Sequence, residues 1–149
     1  GTVLELYSGA GLFTAPLARA IGEGGRLASL EGDEGAVADA ADNLAPFPWA
    51  QTFIGGIDAQ GVAELAGGLG RAPDVVVADP PRAGAGRQVC EAMAALGAPR
   101  IVLVSCDPAA GARDLRALTG AGYQVESLRA WDLFPHTHHV EMVAALTRA

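Results

Sequence analysis

The chain has 149 residues, 50% of them hydrophobic and 18% charged, and a formal net charge of -7. This is enough for one domain with its own core, and it excludes a disordered chain. The negative balance argues against this stretch alone gripping a nucleic-acid backbone. No apolar run approaches a membrane span and nothing resembles a signal peptide, so the expectation is a cytoplasmic protein with no membrane partner. The two cysteines, Cys90 and Cys106, lie in different kinds of segment. No disulfide is expected between them in the cytosol. Every basic residue is Arg, which reads as a base-composition bias of the genome and carries no function.

Apolar runs alternate with Ala-rich helical segments, the pattern of a parallel sheet covered by helices on both faces. Gly1-Thr2 leads straight into the first strand, 3–7, so the chain reads as cut at a domain boundary. The turn Ser8-Gly9-Ala10-Gly11 follows, then a helix over 12–21. The second strand is 26–31, and Asp33 or its neighbour caps a helix that reaches 44 and stops before Pro46 and Pro48. A third strand at 50–54 and a weak helix at 59–69 come next. The fourth strand, 74–78 (D-V-V-V-A), is apolar enough to be central, and it ends in Asp79-Pro80-Pro81-Arg82. A helix over 87–96 places Val89, Ala92, Met93 and Leu96 on one face. The fifth strand starts at Ile101 and runs into Ser105-Cys106-Asp107-Pro108, with a helix over 109–118 behind it. The tail differs. Residues 123–131 and 140–147 both read as strands with no helix between them, so they are expected to pair antiparallel as a hairpin. Five parallel strands followed by a hairpin give a doubly wound, Rossmann-like α/β fold of the methyltransferase type, with a mostly parallel seven-stranded sheet.

Ligands in such sheets bind at the carboxyl ends of the strands. Tyr7, Glu31, Asp58, Asp79 and Cys106 all fall there. Gly9 and Gly11 let the backbone turn tightly and pass close to a ligand. The run is not G-x-G-x-x-G, because Thr14 stands at the last position, and a dinucleotide site loses ground. Glu31 suits hydrogen bonding to ribose hydroxyls. The pair of features fits S-adenosylmethionine as well as a nicotinamide cofactor, and a plain tight turn is the simpler reading of the glycines. Asp58 suits an adenine amino group or, equally, a helix cap. Tyr7 packs on a cofactor or on the core.

Asp79 is held on a rigid corner by two prolines, where it can serve a base edge or the cofactor, or simply cap an exposed turn. Cys90 reads as a core residue beside Met93. Cys106 lies at a strand end just before an Asp N-cap and a Pro at the first helical position. The helix's partial positive charge favours a thiolate there, and Asp107 opposes it. A buried structural thiol is the alternative. Three histidines, His136, His138 and His139, invite a metal, but no thiol or carboxylate completes a ligand pattern, and none is expected. Glu141 lies one residue into an apolar strand, where an acid is costly unless it is used or solvated. A base fits there; so does alternation with a solvated face.

L-E-L-Y-S-G-A-G-L-F-T, D-P-P-R-A-G, V-S-C-D-P and D-L-F-P-H-T-H-H-V-E resemble, in order, the motifs of the RNA uracil-5 methyltransferases. These are bacterial enzymes that form 5-methyluridine in transfer and ribosomal RNA. The resemblance covers nearly the whole chain but only the family's C-terminal catalytic domain. An upstream RNA-binding barrel and a central domain, which in some members binds an iron–sulfur cluster, have no counterpart in it. The resemblance implies Cys106 as nucleophile and Glu141 as proton acceptor. It implies that Tyr7, Glu31 and Asp79 bind S-adenosylmethionine, and that RNA is the partner of the full-length protein. A family glutamine upstream of the first strand, a further cofactor contact, has no equivalent in this chain, so the isolated chain is expected to be weakly active or inactive. The family often has Asn after the nucleophile where Asp107 stands, a mild departure from its pattern. Asp58 does not align cleanly. The alternatives are a methyltransferase of a small molecule or protein with a structural Cys106, and an inactive module that keeps the fold.

Overall fold

A computed structural model describes residues 1–132, 136 and 140–149. Seven strands form one sheet in the order β3-β2-β1-β4-β5-β7-β6. In chain order the elements are β1 (Thr2–Leu6), α1 (Thr14–Ile21), β2 (Arg26–Glu31), α2 (Glu34–Asn43), β3 (Ala50–Ile54), α3 (Ala59–Leu69), β4 (Val75–Ala78), α4 (Arg87–Ala95), β5 (Arg100–Ser105), α5 (Pro108–Gly120), β6 (Tyr123–Trp131) and β7 (Glu141–Arg148). The neighbours among β1 to β5 pair in parallel. β7 inserts between β5 and β6 and runs antiparallel to both. The doubly wound fold with a terminal antiparallel pair is the one expected, and β4 is the central strand of the seven.

Most boundaries fall within a residue or two of expectation, and three of the differences have a clear physical reason. α1 begins at Thr14, not at residue 12. A helix from Leu12 would need an N–H at residue 16 for its first bond, and Pro16 has none. In the first turn no such donor is required. β1 ends at Leu6, because Tyr7 takes φ 61, the left-handed region. Asp74 lies outside β4, and its Oδ2 accepts the Thr2 N–H at 2.7 Å, which ties the start of β1 to the start of β4.

The sheet divides two cores. One is built from Leu4, Leu6, Val62, Met93, Ile101, Leu118 and Leu146 under α3, α4 and α5. The other gathers Val3, Ala18, Leu27, Leu44, Phe47 and Val77 under α1 and α2. Each fully buried Leu or Val contributes about 1.5–3 kcal/mol, so the α3–α5 side dominates the stability. Cys90 is fully buried in that core, as expected. Trp49 closes the smaller core by donating from Nε1 to the Ala18 carbonyl at 2.7 Å.

Candidate active site

The carboxyl ends of the parallel strands open on one edge, and the Gly-rich turn after β1 sits at its middle. Gly9 (φ 55) and Gly11 (φ 94) both need the left-handed region that glycine adopts without strain. Gly9 has open space where a Cβ would be. Tyr7, with φ 61 and a bulky side chain, holds a backbone state that costs about 1–3 kcal/mol. Its N–H is fixed to the Leu30 carbonyl at 3.0 Å.

Glu31 ends β2 and reaches back across this turn. Its Oε2 accepts the Gly9 N–H at 2.7 Å, while Oε1 accepts the Gly32 and Asp33 N–H groups at 2.9 and 3.0 Å. Gly9, Gly11 and Glu31 are therefore one unit. Asp58 stands apart from it as the N-cap of α3, accepting the Gly61 N–H at 2.8 Å. It lines a groove of ≈ 600 Å³ between β3 and α3, beside Trp49, Phe53 and Leu65. None of the other expected site residues lines that groove, and the chemistry gathers elsewhere.

Asp79 follows β4 directly. In register, Glu5 pairs with Val77 of β4, and Val77 with Val102 of β5. Directly paired residues point to the same face and alternate residues share it. Glu5 and Asp79 therefore project on the α1 side of the sheet. The antiparallel β5–β7 register ends at Ser105↔Met142. Cys106 and Glu141 are the next residues along the two chains, just beyond that last pair. Electrostatics agree with that layout. Burial, and then the charge of Glu141, push Asp79 up to about 6. Burial chiefly pushes Glu5 up to about 7, with Asp79 adding to the rise. The Thr14 hydroxyl lies near enough to Glu5 to oppose the shift, though its geometry falls short of a hydrogen bond.

Cys106 is a half-buried free thiol at the end of β5, whereas Cys90 is a buried one, pushed up to about 12 by burial and by Asp114. Asp107 caps α5, accepting the Ala110 N–H at 2.9 Å, and Pro108 is the first helical residue. Ser105 donates from its hydroxyl to the Asp107 carbonyl at 2.9 Å, which folds the chain around Cys106. Glu141 opens β7, paired with Trp131 of β6, and is half-buried. Of the three histidines, His138 and His139 lie outside the described residues, as does the run of residues 133–135. No cluster of three or more His, Cys, Asp or Glu is placed to hold a metal among the described residues.

Two carboxylates escaped the sequence reading. Glu5 is 2% exposed inside β1, and the signal was an acid in the middle of the apolar run V-L-E-L. Asp114 is 3% exposed on α5. Its signal was position, since it lies four residues from both Ala110 and Leu118 on the buried side of the helix. Asp114 accepts the Ala85 and Gly86 N–H groups at 2.7 and 3.0 Å. Tyr7 lies close enough to Asp114 for burial and that charge to push its hydroxyl up to about 12.

A family model described as tRNA (uracil-5-)-methyltransferase matches residues 71–149. An uncharacterized RNA methyltransferase of Streptomyces avermitilis is 45% identical over 98% of this chain and 33% of its own length. The 23S rRNA (uracil(1939)-C(5))-methyltransferase RlmD of Acinetobacter baumannii is 37% identical over 95% of this chain and 30% of its own length. Among solved structures, the Pyrococcus abyssi tRNA (uracil-54, C5)-methyltransferase in complex with S-adenosyl-L-homocysteine superposes with a TM-score of 0.78. It shares 32% identity over 97% of this chain and 34% of that one. The chain thus spans about a third of the length of the relatives it matches.

Proposed function

The chain belongs to the tRNA (uracil-5-)-methyltransferase family, and from that membership we propose that it is the catalytic domain of a longer enzyme that methylates carbon 5 of a uridine in RNA. The observation that carries the reading is the β5–β7 register, which ends one step short of Cys106 and Glu141 with Asp79 beside them. The rest of the enzyme supplies the grip on tRNA or rRNA that a net charge of -7 does not favour.

S-adenosylmethionine is the proposed methyl donor. The site fits it. Gly9 leaves open space above the turn, and Ser8 Oγ, Thr14 Oγ1 and Glu5 Oε2 are buried there with no hydrogen-bond partner among the described residues. Tyr7, Gly9, Gly11, Glu31 and Asp79 would hold it, and Asp58 joins them if its free oxygen faces the adenine. The donor supplies an electrophilic methyl group at the edge where Cys106 and Glu141 stand.

The chain's own residues supply the rest. Carbon 5 of uracil is a poor nucleophile. Addition of the Cys106 thiolate to carbon 6 forms an Sγ–C6 bond and moves the electron pair of the C5=C6 bond onto carbon 5 and the O4 enolate. Once carbon 5 carries the new methyl group, Glu141 accepts its hydrogen as a proton. The C5=C6 bond re-forms, the Sγ–C6 bond breaks, and Cys106 leaves as a thiolate. Burial and the charge of Glu141 together raise the basicity of Asp79. The target base reaches this edge only outside a stack.

The test is Glu141→Gln in the longer protein, with RNA tritiated at uridine C5. The expected outcome is a slowing of tritium release by about 10²-fold or more, with a methylated covalent adduct accumulating. Release at the wild-type rate contradicts the role of Glu141.

A further inference from the structure

Cys106, Asp79 and Glu141 come from three different segments, and nothing in β-sheet pairing alone fixes the loop after Asp79. That loop, residues 79–86, leaves the central strand and turns twice before α4 begins. Gly84 (φ 82) and Gly86 (φ 85) mark the turns, and the Gly84 N–H closes on the Pro81 carbonyl at 2.8 Å. The loop is exposed at Pro81, Arg82 and Ala83. A loop of this kind drifts unless its backbone is tied down.

Asp114 ties its end down. Asp114 sits in α5, the helix that starts directly after Cys106. Its two carboxylate oxygens each accept one amide, from Ala85 and Gly86. These are the last residues of the loop and the N-cap of α4. The carboxylate is 3% exposed, so both bonds are shielded from water and charge-assisted. The fit is close. A Cβ on Gly84 would approach Asp114 Oδ2 to 2.8 Å. The same helix is pressed on the base side of the site one turn earlier. A Cβ on Gly111 would meet Met142 Cε at 2.6 Å and Ser105 Oγ at 2.7 Å, and these residues adjoin Glu141 and Cys106.

We propose that Asp114 is a positioning residue: by clasping the Ala85 and Gly86 amides to α5, it holds the Asp79 loop in fixed relation to Cys106. α5 then references all three groups to one rigid element. Cys106 precedes its N-terminus, Glu141 is placed through Met142 against Gly111, and Asp79 through the loop held by Asp114. The inference rests on the functional reading above, because it assigns Asp79 to the cofactor and Cys106 to the base.

The test is Asp114→Asn in the longer protein, which swaps one acceptor oxygen for an NH₂ group that faces an amide donor. Three readouts are taken: kcat and KM for S-adenosylmethionine and for RNA, affinity for S-adenosylhomocysteine by calorimetry, and amide exchange at Ala85 and Gly86. Gly84→Ala, which pushes on the same carboxylate, is the second variant and is read in the same way if the first does not fold. The expected result is a roughly ten- to hundredfold loss in kcat/KM for the methyl donor. Affinity for S-adenosylhomocysteine weakens in parallel, exchange at Ala85 and Gly86 quickens, and the KM for RNA is unchanged. Faster exchange with wild-type kinetics and wild-type cofactor affinity overturns the proposal and leaves a purely structural clasp. A wild-type protein that binds S-adenosylhomocysteine but does not methylate uridine sinks the functional reading instead, and the affinity comparison still decides the role of Asp114. A wild-type protein that does not bind S-adenosylhomocysteine overturns the positioning role, since Asp79 then has no cofactor to meet.

Discussion

Glu5 places an acid where ionisation is disfavoured, in the buried middle of β1. Its pKa rises from 4.5 to about 7, and that of Asp79 from 3.8 to about 6. The native state therefore binds more protons than the unfolded chain between about pH 4 and pH 7. Raised folded-state values give stability that is full below the unfolded pKa values and is lost as pH rises through 6 and 7. The melting temperature should thus fall from pH 5 to pH 8, and Glu5→Gln should flatten that slope. A melting temperature that rises over this range, or a slope untouched by Glu5→Gln, contradicts the assignment. Asp107 supports a second prediction. Asn caps a helix about as well as Asp, within a few tenths of a kcal/mol. Asp107→Asn should keep the melting temperature while removing a negative charge beside Cys106, so iodoacetamide should alkylate Cys106 faster at neutral pH. An unchanged alkylation rate would mean that the Asp107 charge does not reach the thiol.

Among the elements, α3 carries Asp58 at its N-cap. The cap is plain in the structure, and the adenine contact is the proposal. Asp58→Ala should destabilise the fold by about 1 kcal/mol through loss of the cap. Asp58→Ser keeps a capping oxygen and shortens the reach, so it should restore stability. It should restore affinity for S-adenosylhomocysteine only if Asp58 acts as a cap alone, and calorimetry on the two variants separates the roles. The elements were legible where periodicity and turn chemistry agreed. The apolar run ending in Asp79 is the central strand, and Asp107-Pro108 opens α5 as its residue types dictate. The start of α1 lies at Thr14 and not at residue 12 because Pro16 has no N–H for a longer helix and fits only in a first turn. The placement of β7 between β5 and β6 is a tertiary fact with no local signature, and it is the fact that brings the start of β7 beside the end of β5.

At the scale of the whole molecule, residues far apart in sequence meet because parallel strands deliver their ends to one edge. Cys106, Asp79, Glu31 and Tyr7 were legible for that reason, each standing at a strand end. Glu5 and Asp114 were not, because a sequence shows an acid in a strand or helix without showing which face is buried or what amide it meets. No helix among the described residues is long and apolar enough to cross a membrane. The acidic chain covers about a third of its relatives' length; under the proposed function it carries the chemistry and the grip on RNA lies elsewhere. The central claim is that Cys106 bonds to the base. The most direct measurement is to challenge the longer protein with S-adenosylmethionine and RNA carrying 5-fluorouridine, whose fluorine cannot leave as a proton, and to look for a denaturation-resistant complex. The wild type should be trapped on the RNA and Cys106→Ala should run free; a complex that persists in Cys106→Ala contradicts the account.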